Sequence, residues 1–296
     1  MSQRERFYEL VVEALHEDDR VEVVLAEIGA ASLPRHPRIH NVGIREQLMI
    51  GVAAGLALEG RRAIAHSYAP FLVERPFEQI KIDLVHQGVG AVLVSVGASY
   101  DSARSGRTHQ APEDVAVLSS LPGWTIDVPG HADEVGPDLA DALAGDHCVY
   151  LRLTEESNAE PNDGRTLTIL RRGGDDAPFV LAVGPTLDQV LEATADLDVT
   201  VGYLTRVRPF PAADLRTAMT GGTLVLVEPY LAGTSSAEAS TSLADRPHRL
   251  VALGVTKGEL RRYGTPEEHR AAHGLDAAGI YAGLEPASVP GQRSAL

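Results

Sequence analysis

The chain has 296 residues, enough for two domains of ordinary size, and its 44% apolar content is that of a protein with a packed core. A formal net charge of −15 argues against nucleic acid or an anionic membrane as partner, since either needs a basic face. The single cysteine, Cys148, excludes an intramolecular disulfide framework and a cysteine-based zinc site.

Met1 to Arg6 lead into a charged amphipathic helix with Phe7, Leu10, Val11 and Leu15 on one stripe, not into a signal peptide. Val21 to Ala26 is a β-branched run and reads as a strand. A loop with Pro34 and Pro37 then leads to a helix over residues 44–59. Ile44, Leu48, Val52 and Leu56 recur every fourth residue along it and predict its buried face, with Gly51 and Gly55 allowing close approach. Arg62 to Tyr68 is a second strand, Pro70 opens a long helix to about His86, and Ala91 to Val96 is a buried strand. A loop rich in Ser, Gly and Arg runs from Gly97 to Gln110. Helices at 113–121 and 132–144 then alternate with strands at 124–128 and 148–153. The segment 157–177 is polar and rich in Gly, Asn and Asp, which predicts a linker with one strand near Leu167 to Leu170. Beyond it, strands near 179–183, 199–204, 223–227 and 250–254 again alternate with helices. Thr265-Pro266-Glu267-Glu268 carries a capping signature. The expected fold is α/β: two doubly wound domains with mostly parallel sheets, residues 1–156 and 178–296, joined by the linker. No apolar run approaches the roughly 20 residues that span a bilayer, so a soluble cytoplasmic protein is the expectation.

Three stretches combine chemical side chains with a strand-to-helix passage. They are Gly43-Ile44-Arg45-Glu46-Gln47, Ser67-Tyr68-Ala69-Pro70-Phe71 and Ser105-Gly106-Arg107-Thr108-His109-Gln110. Ligands of parallel sheets sit at the carboxyl ends of strands, where such loops meet. Taken alone, Glu46 complements the positive end of a helix dipole, Tyr68 and Phe71 read as core aromatics, and His109 anchors a loop.

Together the three stretches resemble the C-terminal half of transketolase-type thiamine diphosphate enzymes. The likeness extends through Glu113-Asp114, the run Leu121-Pro122-Gly123-Trp124-Thr125-Ile126-Asp127-Val128-Pro129 and the ending His273-Gly274-Leu275-Asp276. The resemblance implies a pyrimidine-binding domain followed by a transketolase C-terminal-like domain. It implies that Glu46 hydrogen-bonds a ring nitrogen of the cofactor's aminopyrimidine and favours its imino tautomer, a task suited to a carboxyl group in a dry pocket. It implies that Phe71 stacks on the pyrimidine, with Tyr68, Gly43 and Ile44 beside the ring, and that His109 faces the reactive carbon as proton donor or acceptor.

The family's Gly-Asp-Gly…Asn signature for diphosphate and magnesium is missing, and Asn162-Asp163-Gly164 lacks the strand context for it. The resemblance therefore implies a split enzyme. An alpha-like partner would hold the diphosphate and the magnesium, this chain would supply no metal ligand, and self-association as a dimer would build an α2β2 assembly. Transketolases carry an Asp, and a phosphate-contacting His, at the positions of Ser105 and Gly97; deoxyxylulose-phosphate synthases carry an Arg at that of Ala98. Each lost charged phosphate contact removes roughly 1.5–3 kcal/mol, which argues against a standard sugar-phosphate substrate, with Arg75, Arg104 and Arg107 as the arginines available for another anion contact. The implied activity is transfer of a two-carbon ketol unit between small molecules. Transfer of a two-carbon acyl or glycolyl unit to a lipoyl or carrier-protein thiol, and a non-catalytic scaffold role, stay open at this stage.

Overall fold

A computed structural model describes residues 1–284. The last part of the expected second domain, 285–296, lies outside the described residues. The strands are β1 (Val21–Leu25), β2 (Ile39–Asn41), β3 (Arg62–Tyr68), β4 (Val92–Val96), β5 (Trp124–Asp127), β6 (Cys148–Arg152), β7 (Thr168–Arg171), β8 (Phe179–Val183), β9 (Thr200–Leu204), β10 (Arg206–Arg208), β11 (Thr223–Leu231) and β12 (Arg249–Val255). The helices are α1 (Gln3–Glu17), α2 (Glu46–Leu58), α3 (Phe77–Gln79), α4 (Asp114–Ser119), α5 (Val135–Ala144), α6 (Leu187–Ala193), α7 (Ala212–Ala218), α8 (Ser236–Ser242), α9 (Pro266–Ala272) and α10 (Ala277–Leu284).

The β-branched runs form two sheets. The first has the order β10-β5-β6-β4-β3-β1-β2 and the second β12-β11-β8-β9-β7. Pairing is parallel except at β10 with β5 and at β7 with β9. Both antiparallel strands lie at sheet edges, so an otherwise parallel sheet keeps its helices on both faces. On one face of the first sheet, α1 and α5 bury Phe7, Val11, Leu15 and Leu139 against Val23, Val94 and Leu151. On the other face a single apolar cluster runs from Met49 and Ile50 through Leu118 and Ile126 to Phe179 and Leu226 of the second unit. β10, from beyond the linker, pairs with the first sheet at Arg206 and Asp127. The two units are thus joined by core and by sheet.

Two expectations need correction. In α2 the buried residues are Glu46, Met49, Ile50, Ala53 and Ala54, whereas Ile44 is 72% and Leu48 49% exposed. Of the stripe marked by fourfold spacing, Ile44 and Leu48 face outward, whereas Val52 and Leu56 are partly buried and pack against the core. The helix is apolar nearly all round, so periodicity cannot choose its inner side; the narrow Ala53–Ala54 side fits closest to β1 and β3. Nothing lies within 4 Å of where a Cβ on Gly55 would stand. The second correction concerns residues 70–86. They are a π-helical turn (Pro70–Glu74), the short α3 and a second π-helical stretch (Ile80–His86) instead of one regular helix. Pro76 has no N–H to donate, so regular hydrogen bonding breaks there. Phe77 is only half-buried, while Phe71, Ile80 and Leu84 are inside. The loop before α2 also contains β2, a strand too short to register in the pattern.

Candidate active site

β2, β1, β3 and β4 are parallel neighbours, so their carboxyl ends share one edge. The segments leaving that edge carry Gly43 to Glu46, Tyr68 to Phe71, and the loop to His109. Between β2 and α2 the chain turns at Gly43, whose φ of +72° is the left-handed region that favours glycine; its N–H donates to Asn41 Oδ1 at 3.1 Å. The turn sets Glu46 as the first residue of α2, where its carboxylate meets the positive helix end.

Glu46 is 5% exposed. Its Oε1 accepts a hydrogen bond from Arg75 Nη1 at 2.8 Å. The same guanidinium lies 3.8 Å from the centroid of the Phe71 ring, so a half-exposed planar cation covers the ring and neutralises the buried acid together. Phe71, Tyr68 and His109 form a three-ring cluster. Phe71 and His109 are 5.0 Å apart at 70°, Tyr68 and Phe71 6.0 Å at 82°, and Tyr68 and His109 6.0 Å at 71°. These edge-to-face arrangements suit aromatic quadrupoles. His109 Nδ1 is 3.0 Å from Thr108 Oγ1, a contact that orients the imidazole. Gly43 and the exposed Ile44 lie on the approach to Glu46 rather than in the ring cluster.

Gly97 has a structural reason. Its φ is +68°, and a Cβ there would stand 2.4 Å from Tyr68 Cδ1. Any side chain at this position would collide with the Tyr68 ring.

Behind the His109 loop is a buried polar network. Asp114 Oδ2 accepts from Tyr150 OH at 2.7 Å and from Arg152 Nε at 2.8 Å. Arg152 Nη2 donates to Ser99 Oγ at 2.6 Å, and Ser99 donates to the Pro229 carbonyl. The network ties β6, the start of α4 and the loop after β4 to the second unit. Burial raises the Tyr150 phenol well above its ordinary value, with Asp114 adding to the effect. Burial works to lower the Arg152 guanidinium, but Asp114, Tyr150 and Asp101 together raise it above its ordinary value.

The sequence reading missed two contributors. Arg75 appeared there only as a spare arginine, since nothing in its neighbours marks a bond to a residue 29 positions earlier. Glu27, directly after the buried β1 run, has a φ of +68° and exchanges hydrogen bonds with Asn41 at 3.1 and 3.2 Å. A carboxylate closing a buried strand was the available signal. Among the described residues no group of three or more His, Cys, Asp or Glu side chains is placed to hold a metal ion, and no helix is long and apolar enough to cross a membrane.

Two α/β units with loops converging at the carboxyl edge of the first sheet define a doubly wound protein whose ligand site belongs to that edge. Residues 5–160 match the family model described as transketolase, pyrimidine binding domain. The chain belongs to the transketolase family of thiamine diphosphate enzymes and carries its pyrimidine-binding domain. It is 50% identical to an uncharacterised 33.6 kDa protein in the fasciation locus of Rhodococcoides fascians, over 90% of this chain and 88% of that one. It is 30% identical to the 6-deoxy-6-sulfo-D-fructose transketolase subunit of a Clostridium species (strain MSTE9), over 85% and 84%. Among solved structures, a split gene transketolase described as an inactive beta4 tetramer superposes with a TM-score of 0.82 at 23% identity, covering 96% of this chain and 97% of that one.

Proposed function

We propose that the chain is the beta-type subunit of a two-component, thiamine diphosphate-dependent transketolase that transfers a two-carbon ketol unit. The observation that carries the reading is the shared position of Glu46, Phe71 and His109. A buried carboxylate, an aromatic ring and an imidazole lie together at the ligand edge, Phe71 packing on His109 at 5.0 Å and linked to Glu46 through the half-exposed Arg75. Supporting it are family membership and the similarity along nearly the whole chain to a relative named as a transketolase subunit.

These residues fit the pyrimidine half of the cofactor: a carboxyl group for a ring nitrogen and a ring for stacking. When bound, thiamine diphosphate supplies a carbon acid and an internal base for making and breaking carbon–carbon bonds. Glu46 holds a proton at its carboxyl oxygen against a weakly basic ring, and its burial strengthens that bond. Phe71 stacks once Arg75 swings off its face, and the Arg75 guanidinium is then free for an anionic group. His109 holds or moves a proton above the rings. The diphosphate and magnesium belong to an alpha-like partner, because the run that binds them is missing here. The exposed pair Ile44 and Leu48 flanks Glu46, which suits it to self-association in an α2β2 assembly.

The test is reconstitution. Co-expression with an alpha-like chain carrying the Gly-Asp-Gly…Asn run should yield ketol transfer that neither chain shows alone. An assembled complex without turnover on any ketose–aldose pair would contradict it.

A further inference from the structure

A cavity of about 270 Å³ lies at the seam of the two units, between the loop that carries His109 and the segment from β12 to α9. Its floor is a stack of rings. Tyr100 lies 5.9 Å from His269 at 28° and 5.9 Å from His273 at 20°. Its wall holds Arg107, Lys257, Arg261 and Arg262. In a chain of net charge −15, four cations around one hollow are a local reversal of the field.

Both carboxylates that line the cavity pair with Arg107, although Glu113 Oε2 has no hydrogen-bond partner among the described residues. Arg107 donates to Glu113 at 2.7 Å and to Glu259 at 3.1 Å. Lys257, Arg261 and Arg262 form no ion pair with a carboxylate among the described residues, though Arg262 Nη2 donates to the Glu268 carbonyl at 2.7 Å. At the inner end His269 is 2% exposed, lines the cavity, and its Nε2 has no hydrogen-bond partner among the described residues. A buried polar atom left unpaired costs free energy unless a ligand or water completes it. His273 Nδ1 accepts from the Thr256 N–H at 3.3 Å, which places the hydrogen of the neutral ring on Nε2 as a donor. Arg261 is held at φ +52°, a conformation non-glycine residues rarely adopt and which clusters at ligand sites.

We propose that this cavity binds a small phosphate-bearing molecule, with Lys257, Arg261 and Arg262 around the phosphate and His269 Nε2 meeting the buried end of the ligand. Three cations without carboxylate partners match a dianionic phosphate, whereas a single carboxylate would leave them in surplus. The volume falls slightly below the roughly 300–1,000 Å³ of pockets for drug-sized ligands, as suits a smaller one. The cavity shares Arg107 and Gln110 with the His109 loop, so occupancy bears directly on that loop. The phosphate belongs either to a substrate reaching across the loop or to a separate effector; the contacts are the same.

Calorimetric titration of the full chain with glycerol 3-phosphate and inorganic phosphate, with glycerol as the uncharged control, tests the site. One saturable site per chain is expected for the phosphate ester, weaker binding for phosphate, and none for glycerol. The doubly substituted Lys257→Gln/Arg261→Gln chain, altered at exposed side chains, should keep its unfolding midpoint and lose at least tenfold in affinity. His269→Asn should weaken the ester further than phosphate. Absence of saturable binding, or affinity unchanged in the double variant, overturns the site. Glu46→Gln should bind as the parent does, so this result is independent of the catalytic reading. In the assembled enzyme, a rise in KM at constant kcat in the double variant assigns the phosphate to a substrate. Non-competitive modulation by glycerol 3-phosphate that the double variant loses assigns it to an effector. If the double variant shifts neither parameter and modulation persists, the cavity is not the site.

Discussion

At the scale of single residues, one arginine links the candidate acid to the candidate stacking ring. Arg75 bonds Glu46 and caps Phe71 at once, so the same side chain occupies both contacts proposed for an aminopyrimidine. Glu46 and Phe71 were legible in the sequence because each stands where a helix leaves a strand end. Arg75 was not, because its role depends on a π-helical turn that places it beside α2. The motif from Thr108 to Asp114 divides likewise: His109 packs on the rings of Phe71 and Tyr68, whereas Asp114 is fully buried scaffold. A run of residues does not reveal which members point inward. Gly97 gives a direct check. Gly97→Ala forces a Cβ toward Tyr68 at a backbone angle that disfavours any side chain, and should cost about 1–3 kcal/mol in denaturant unfolding. Combined with Tyr68→Ala the cost should shrink, because the collision is then removed. Equal costs in both backgrounds would refute the packing account.

At the scale of elements, the strand and helix order was readable from apolar runs and turn residues, and nearly every buried strand lies where expected. What failed was the inner face of α2 and the regularity of 70–86. A helix apolar on every side carries no facing signal, and its side of contact is settled by which residues let β1 and β3 approach. An apolar pair left outside a folded chain implies a surface to be covered. Ile44→Glu with Leu48→Glu should leave the unfolding midpoint of the isolated chain near its parent value, because both side chains are exposed. Light scattering should show loss of self-association. Retained oligomers would remove α2 from the interface. The buried Arg152–Asp114 pair belongs to this scale too, since it ties three elements together. Asp114→Ala should destabilise by about 3–5 kcal/mol, because Arg152 would stay buried without its partner. A loss under 1 kcal/mol in denaturant unfolding would contradict that account.

Over the whole molecule, the two units behave as one folded body in their core and sheet contacts. β10, three residues long and separated by one residue from a strand of the other sheet, was invisible in the sequence, and only tertiary pairing defines it. Joining the units leaves buried acids near the seam. Asp138 is 1% exposed, its Oδ2 has no partner among the described residues, and burial, with Asp127 and Glu134 nearby, pushes its carboxyl up to about 8. Asp101 and Glu228 are pushed up to about 7, each chiefly by burial. Between the ordinary carboxylate range and these values the folded chain binds more protons than the unfolded one. Stability therefore falls as pH rises from about 4 through 7 to 8 on account of these groups. Asp138→Asn should flatten the decline between pH 5 and 8 and raise stability at pH 8 by about 1–3 kcal/mol in thermal unfolding. A variant with an unchanged slope would show that Asp138 is not buried with its proton.

The most direct measurement of the central claim is turnover of the reconstituted complex with Glu46→Gln. Glutamine keeps the size and the helix position but cannot share a carboxyl proton. Turnover should fall by about 10²–10⁴-fold, the usual worth of a positioned acid–base group, while the two chains co-elute as before. Turnover within a few-fold of the parent, with assembly intact, would contradict the assignment of Glu46 and with it the catalytic role of this subunit.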